Sequence, residues 1–258
     1  MGIVGFGRMG EAIARGLKTL GVELCTCDPS EERREVARAL DIAVEETCSQ
    51  VASRSETLFL AVKPQVFPQV AEELEGRVNH CIVVSVMAGI GTGRLKKDLS
   101  IDRVVRVMPN TPALIGEGAI AYCTSGSFSE EEIEGLERML SVLGRVVPVP
   151  EAYMDAVTGL SGSGPAYLFL FLEALEDAGV RVGLPRDVAR ALAVQTVKGS
   201  VLLLERTSQP PRELINAVTS PGGTTIAALH ALEKGGFKGL IMDAVLRATE
   251  RSKELGNG

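Results

Sequence analysis

Histidine is scarce in this chain, and its cysteines show no paired pattern. Only His80 and His230 occur among the 258 residues. A histidine-based metal centre or a Ser-His-Asp triad therefore has little material, and both positions are typical of surface residues. The cysteines are odd in number and form no Cys-x-x-Cys pair, which argues against a disulfide framework and a zinc knuckle. They are Cys25, Cys27, Cys48, Cys81 and Cys123. We predict no metal site, and we interpret Cys25 and Cys27, which share one strand face, as packing residues.

Long apolar runs and clusters of positive charge are also missing. The longest nearly uncharged apolar run, Tyr167 to Leu172, is far too short to span a bilayer. The N-terminus lacks the basic-then-apolar order of a secretory signal. The net charge is −6 with both signs interspersed, which disfavours nucleic acids and anionic membranes as partners. We therefore predict a cytoplasmic protein.

Apolar residues are plentiful, at 45% of the chain. This content is ample for a hydrophobic core, and the length suits one large domain or two modest ones. The sequence contains no internal repeat and no low-complexity tract.

Near the start of the chain, two apolar residues run into a Gly-x-Gly-x-x-Gly pattern, and a helical pattern begins at Glu11. In a dinucleotide-binding turn, Gly5 would allow a sharp exit from a strand, Gly7 would leave room for a pyrophosphate, and Gly10 would let the helix pack closely. The free N–H groups at the helix start would hold the phosphate charge. Taken alone the pattern is weak, because ordinary tight turns carry the same spacing.

The residues after this turn fit a dinucleotide-binding unit. Residues 22–27 are predicted to form a second strand, and Asp28 stands at its end. An acidic residue about 20 positions beyond the glycines is where a ribose hydroxyl is bound. Asp28 is also placed to cap the helix predicted to begin at Ser30, and the sequence leaves both roles open.

Strands followed by small residues or proline recur over the next hundred residues. The predicted strands are residues 57–62, 81–87, 103–108, 117–124 and 145–149. Helices are predicted at 30–40 and 129–143. This alternation predicts an α/β fold with a Rossmann-like, doubly wound sheet as the dinucleotide-binding domain, residues 1–150. It places Ala61, Val62 and Lys63 at the carboxyl end of a strand, where ligands bind in such sheets.

No strand is predicted after Pro150, so residues 151–258 should form an all-α second domain. One helix, starting at Pro165, is apolar nearly all round, and such a helix must be buried on every side. Either a second subunit or the rest of the same chain could cover it; the small number of helical residues favours a partner.

A second glycine-rich helix start lies at residues 220–225, which read Ser-Pro-Gly-Gly-Thr-Thr. Its N–H groups and hydroxyls suit an anion, and a carboxylate as well as a phosphate. A simple capped turn accounts for the same residues.

Five motifs spread over nearly the whole chain form a specific combination. They lie at residues 5–10, 60–65, 107–112, 160–167 and 220–225, and they read GFGRMG, LAVKPQ, VMPNTP, LSGSGPAY and SPGGTT. Together they resemble the pyrroline-5-carboxylate reductase family, which reduces 1-pyrroline-5-carboxylate to L-proline with NADPH or NADH. The last two motifs are far more specific than the glycine turn. The resemblance implies a dinucleotide-binding domain followed by a helical dimerisation domain, and dimers that often assemble further.

The resemblance also implies a role for individual residues. The pyrophosphate would be held by Gly5, Phe6, Gly7, Arg8, Met9 and Gly10. The nicotinamide side would be lined by Ala61, Val62, Lys63, Pro64, Ala88 and Gly89, and reached by Asn216. The substrate would be bound by Glu151, Gly223, Thr224 and Thr225. The Thr225 hydroxyl is the catalytic candidate, since it would bind or relay a proton to the ring nitrogen.

Three of these residues have plainer interpretations as well. Lys63 could be a solvated residue at a helix start, Asn216 an ordinary polar helix residue, and Glu151 a charge at the domain boundary.

Two departures from the family pattern matter. Many relatives carry Asn, Ser or Arg after the second strand, suited to the 2′-phosphate of NADPH, where this chain has Asp28. A carboxylate there would repel a phosphate and accept hydrogen bonds from a free ribose diol, so NADH is slightly favoured. Ser30, Arg33 and Arg34 keep NADPH open. Cys48 stands where relatives often have an Asn near the adenosine.

Two other functions fit parts of the pattern. A dehydrogenase acting on a β-hydroxyacid would use a helix lysine as its acid–base group, and Lys198 is a candidate that lacks the surrounding motif. A nucleotide sensor without turnover is disfavoured, because residues 220–225 and Asn216 are retained.

Overall fold

The computed structural model describes residues 1–256, which divide into two compact units. The first, here called the sheet unit, comprises Met1–Ser163 and the end of the chain from Leu246; the second, the helical unit, is Gly164–Val245. These units divide the chain by packing, and the domain boundary between residues 150 and 151 stays a prediction.

A single sheet of eight strands organises the sheet unit. In chain order, β1 to β8 are Gly2–Val4, Cys25–Cys27, Ala43–Val44, Thr57–Leu60, Ile82–Ser85, Val104–Met108, Gly118–Ser125 and Gly144–Pro148. Their spatial order is β3-β2-β1-β4-β5-β6-β7-β8, and neighbours are parallel except for the antiparallel pair β6 and β7. The order reverses between β1 and β4, which creates a topological switch point at the carboxyl ends of those strands. This is the predicted Rossmann-like, doubly wound sheet.

Helices connect the strands of this unit. In chain order, α1 to α7 are Arg8–Lys18, Glu31–Ala39, Cys48–Ser53, Phe67–Leu74, Thr92–Leu99, Glu130–Ser141 and Met154–Val157. A π-helical turn, Thr158–Gly162, follows α7. The start of α6 is fixed by a capping box, in which Ser129 and Glu132 each accept a backbone N–H of the other.

The core of the sheet unit covers both faces of the sheet. Strand β4 shows this within four buried residues, because Leu58 and Leu60 belong to one apolar cluster while Phe59 belongs to the cluster on the opposite face. The continuous apolar run therefore folds as predicted for a strand buried on both sides.

Three predicted strands are at least two residues shorter in the structure than in the sequence pattern, and one of them, residues 57–62, contributes only Thr57–Leu60. Residues 22–27 contribute only Cys25–Cys27, and residues 81–87 only Ile82–Ser85. The strand β3 and the helices α3 and α5 were not predicted, because their short segments carry too little periodic pattern to stand out.

The helical unit contains no strand among its residues. Its helices α8 to α11 are Gly164–Arg181, Arg186–Thr207, Pro211–Ala217 and Thr224–Lys234, and α12, Phe237–Gly256, begins there. This matches the all-α prediction. Gly179 lets α8 and α9 approach closely, since a Cβ atom there would lie 2.7 Å from the Ala189 methyl group. No residue of α8 is buried in the single chain.

Candidate dinucleotide and substrate sites

The glycine turn between β1 and α1 lies at the switch point of the sheet. Gly5 has a φ of +90°, and a Cβ atom there would lie 2.9 Å from the Ala61 carbonyl oxygen. A Cβ atom at Gly10 would lie 2.1 Å from the Gly5 carbonyl oxygen, so the helix packs directly on the turn. At Gly7 the same atom would meet nothing within 4 Å. The two outer glycines are required by packing, whereas Gly7 leaves open space beside bare backbone, which fits a pyrophosphate.

The start of α1 offers backbone donors at this open space. Gly7 is the N-cap and has no side chain to occupy the N–H groups of the first turn, and those N–H groups have no partner within the helix. Arg8 is exposed and Met9 half-buried. The Phe6 N–H is already used, because it donates to Asp28 Oδ2 at 2.7 Å. Five of the six residues predicted to hold the pyrophosphate, all but Phe6, thus surround or form a helix start whose first N–H groups suit an anion.

Asp28 has two structural partners. Besides the Phe6 N–H, its Oδ1 accepts the Ser30 N–H at 2.9 Å. The carboxylate therefore joins the end of β2 to the glycine turn and holds the residue before α2, whose N-cap is Ser30 rather than Asp28. Each carboxylate oxygen keeps lone pairs for further donors, so a ribose contact is compatible with this arrangement.

The end of β4 lies beside the glycine turn. The Ala61 N–H donates to the Val4 carbonyl at 2.8 Å, and a Cβ atom at Gly5 would lie 2.8 Å from Val62 Cγ1. Lys63 is exposed and precedes a 3-10 turn, Pro64–Val66, which leads into α4 at Phe67. The structure brings Ala61 and Val62 together with the glycines.

Ala88 and Gly89 form the turn after β5, the next strand of the sheet. Gly89 has a φ of +75°, and its Cα lies against the end of α12, where a Cβ atom would meet the Leu255 backbone at 3.3 Å. The same end of α12 is tied down by Ser252, whose hydroxyl donates to Asp155 Oδ1 at 2.7 Å. The last turns of the chain therefore support the turn that is predicted to face the nicotinamide.

Glu151 is held by contacts within the sheet unit. Its Oε1 accepts the Thr92 N–H at 2.6 Å and lies 3.5 Å from the Arg106 guanidinium, and its Oε2 accepts the Thr92 hydroxyl. Partial burial raises the pKa of the Glu151 carboxyl, but the Thr92 hydrogen bonds and the Arg106 charge outweigh it and hold this pKa below its usual range. The carboxylate thus anchors the start of α5, the helix that follows the Ala88-Gly89 turn.

Sequence reasoning missed Arg106 and Thr92 as partners of Glu151. Arg106 lies in β6 and is buried, with 7% of its surface exposed. A charged residue inside the otherwise apolar run of residues 104–108 was the available signal, since a buried charge requires a partner. Thr92 carries no comparable signal.

The predicted substrate residues of the helical unit lie at the start of α11. Gly223 is its N-cap without a capping side chain, and Gly222 has a φ of +68°. The Gly223 N–H donates to the Ser220 carbonyl at 3.1 Å. Thr224 is exposed and Thr225 half-buried. Gly223, Thr224 and Thr225 therefore form one helix start with free N–H groups and two hydroxyls. Asn216, which is exposed in α10, also belongs to the helical unit. The predicted substrate residue Glu151 and the predicted cofactor residues other than Asn216 belong to the sheet unit.

Residues 1–256 show neither a membrane-spanning helix nor a cluster of metal ligands. None of their helices combines the length and apolar character that a bilayer span needs, and they hold no group of three or more His, Cys, Asp or Glu side chains suited to a metal ion. The cytoplasmic location stays a prediction.

Comparisons with known proteins agree with the resemblance seen in the motifs. A family model described as pyrroline-5-carboxylate reductase dimerisation matches residues 151–255, and one described as NADP oxidoreductase coenzyme F420-dependent matches residues 1–89. The pyrroline-5-carboxylate reductases of Arabidopsis thaliana and of a Synechocystis strain are each 43% identical over 261 residues; the match covers 99% of this chain and 95% and 98% of those proteins.

A solved structure gives the same result. The pyrroline carboxylate reductase of Plasmodium falciparum with NADP bound is 33% identical and superposes with a TM-score of 0.90, over 99% of this chain and 97% of that one. Identity and coverage at this level show common descent along the whole chain, and so the protein belongs to the pyrroline-5-carboxylate reductase family.

Proposed function

We propose that this protein reduces 1-pyrroline-5-carboxylate to L-proline with NAD(P)H, as the last step of proline biosynthesis. The observation that carries this proposal is the 43% identity, over nearly the full length, to two proteins named for that activity. The open glycine turn at the switch point supports it, since a reductase of this kind must hold a dinucleotide there.

The residues of the sheet unit have a positioning task. The N–H groups after Gly7 hold the pyrophosphate, and the turns around Ala61-Val62 and Ala88-Gly89 orient the nicotinamide. Asn216 is a further candidate cofactor residue. Bound NAD(P)H supplies the hydride. Because a protonated cyclic imine is already a strong hydride acceptor, placing its carbon correctly is the main requirement.

The residues at the start of α11 bind the substrate. The N–H groups near Gly223 and the Thr224 hydroxyl hold the carboxylate, as helix starts hold anions. The Thr225 hydroxyl binds the ring nitrogen or relays a proton to it. Glu151 is a further candidate substrate residue.

The direct test is the initial rate of NADH and NADPH oxidation by the purified protein with 1-pyrroline-5-carboxylate. Pyrroline-2-carboxylate serves as the control imine. Turnover of 1-pyrroline-5-carboxylate without turnover of pyrroline-2-carboxylate supports the proposal. Tight dinucleotide binding without turnover of 1-pyrroline-5-carboxylate would refute the substrate assignment and favour another dehydrogenase or a sensor.

Asp28 favours NADH over NADPH. Its carboxylate would repel a 2′-phosphate, and the nearby cations have acidic partners: Arg33 lies 3.4 Å from Glu11, and Arg34 lies 2.6 Å from Glu31. The contacts to Phe6 and Ser30 hold the carboxylate in place.

Replacing this charge measures the preference. Asp28→Asn should improve kcat/KM for NADPH relative to NADH by about tenfold, which corresponds to about 1 kcal/mol for one solvent-screened charge–charge contact. Asp102→Asn, at an exposed carboxylate elsewhere in the sheet unit, is the matched control for net charge. An unchanged ratio in Asp28→Asn would refute the assignment.

The role of Thr225 is tested by a pair of substitutions. Losing one hydrogen bond to a charged group costs about 1.5–3 kcal/mol, so Thr225→Ala should lower kcat/KM by about one to two decades. Thr225→Ser keeps the hydroxyl and should recover most of that loss. Catalysis by Thr225→Ala at the wild-type efficiency would remove Thr225 from the mechanism.

A homodimer formed through the helical unit covers helix α8. Leu168, Phe169 and Leu170 are each more than half exposed in the single chain, and a contiguous apolar surface of this kind marks an interaction site. The match of residues 151–255 to a dimerisation model points to a second copy as the partner.

A further inference from the structure

Two cysteines meet at the end of β2. Cys27 is the last residue of that strand and Cys48 the first residue of α3, 21 positions later, and their sulfur atoms lie 3.5 Å apart. Both are free thiols. A disulfide bond requires about 2.05 Å between the sulfurs, so a small shift of α3 towards β2 would bring them to bonding distance. The sulfurs of Cys25 and Cys81 instead contact oxygen atoms or the His80 ring.

The two thiols differ in accessibility. Cys27 is buried, with 5% of its surface exposed, whereas Cys48 is partly exposed. The hydrogen bond to Cys48 and burial together raise the pKa of the Cys27 thiol above its usual range. A reagent from solvent therefore reaches Cys48 first, and Cys27 is placed behind it as the resolving thiol.

This pair is linked directly to the glycine turn. The Cys27 carbonyl accepts the Gly5 N–H at 2.9 Å, and the next residue, Asp28, accepts the Phe6 N–H at 2.7 Å. On the other side, Ser49 is fixed by Glu73, which accepts its N–H at 3.0 Å. Drawing Cys48 towards Cys27 would therefore strain the backbone that positions the start of α1.

We propose that Cys27 and Cys48 form a redox modification site: a low-molecular-weight disulfide oxidises them to an intramolecular disulfide, and the oxidised protein binds dinucleotide more weakly. The Cys48 thiolate attacks one sulfur of the small disulfide and releases one small thiol. The Cys27 thiol then gives its proton to water, and its sulfur attacks the Cys48 sulfur of the mixed disulfide and releases the second small thiol. The small disulfide is reduced to two thiols, and the protein loses two hydrogen atoms. The effect on binding rests on the proposed cofactor site; the disulfide itself does not.

The experiment treats the full-length protein with oxidised glutathione, alkylates the remaining thiols, and locates the cross-link by peptide mass mapping. Dinucleotide affinity is measured by calorimetry before and after treatment, so the result does not depend on turnover. We expect a Cys27–Cys48 cross-link and a dissociation constant for NADH that rises about tenfold on oxidation. Dithiothreitol should restore the original value.

Matched variants separate this pair from general thiol chemistry. Cys27→Ala and Cys48→Ser should each lose the response, measured as the ratio of treated to untreated affinity of the same variant. Cys25→Ala, two residues earlier on the same strand face, should retain it. A mixed disulfide that persists on Cys48 would overturn the cross-link. A cross-link that leaves the affinity unchanged would overturn its effect on the cofactor site.

Discussion

An apolar strand and a helix with a long apolar stretch lie in opposite surroundings. Strand β4, Thr57–Leu60, is buried at all four positions, whereas helix α8, Gly164–Arg181, has no buried residue. The sheet unit covers β4 with helices of the same chain. The helical unit has too few residues to cover α8, and only Ala189 and Ala193 are buried within it. Apolar content alone thus predicts that a segment will be buried. The number of residues available to surround it decides whether a second chain is needed.

The largest expected effect tests the exposed side of this comparison. Phe169 is 65% exposed in the single chain, and its burial in a dimer would contribute about 1.5–3 kcal/mol at each of two symmetric positions. Phe169→Asp should therefore raise the dimer dissociation constant by at least about a hundredfold. Sedimentation velocity over a range of protein concentrations measures this change.

A control in the sheet unit makes the result specific. Leu20 is also an exposed apolar residue, at 41%, and Leu20→Asp should leave the oligomeric state as it is. A Phe169→Asp protein that sediments like the wild type would show that α8 is covered in some other way.

The same contrast explains which parts of the fold could be predicted. The strands β4 and β6 were found because an apolar run buried on both faces is a strong local signal. The two-residue strand β3 was missed, since its pairing with β2 depends on the register of the sheet and not on its own residues. The burial of α8 against a second subunit was predicted only from the small number of residues in the chain that could surround it.

The site was predictable to the extent that it is made of backbone. The glycine spacing indicated both the turn and the close helix packing, and the structure places these features at the switch point. The side-chain contacts were not predictable, because Glu151 and its partner Thr92 are 59 positions apart. Such a contact is set by how β5, β6 and the chain after β8 come together.

A smaller effect is expected from two glycines that look equivalent in the motif. A valine at Gly10 would press on the Gly5 carbonyl oxygen, so Gly10→Val should lower the free energy of unfolding by about 1–3 kcal/mol. Gly7→Ala meets open space and should cost less than about 1 kcal/mol, the loss of a glycine N-cap, while raising the KM for the dinucleotide. Chemical denaturation followed by circular dichroism, and initial rates, measure the two quantities.

These glycine variants also sharpen the comparison between the units. The loss of stability in Gly10→Val should be the same at every protein concentration, because the sheet unit packs within one chain. Equal destabilisation by Gly7→Ala would mean that the turn is crowded at Gly7 as well.

The smallest effect concerns Glu151, whose described contacts all lie in the sheet unit. Its lowered pKa means that the ionised carboxylate stabilises the fold above the unfolded value near 4.5, and that this contribution is lost as the pH falls through the lower folded value. The side chain is 40% exposed, so solvent screening limits the contribution to about 1 kcal/mol. Glu151→Gln should therefore lower the free energy of unfolding slightly at pH 7, and the difference from the wild type should disappear on acidification.

Denaturation series at several pH values and protein concentrations measure the effect of Glu151→Gln, and Glu117→Gln at an exposed site controls for the loss of one charge. Because Thr92 and Arg106 belong to the same unit as Glu151, the difference should be independent of protein concentration, unlike that of Phe169→Asp. A difference that grows on dilution would instead mean that Glu151 stabilises the dimer. The carboxylate would then depend on a second chain, as the exposed helix α8 does.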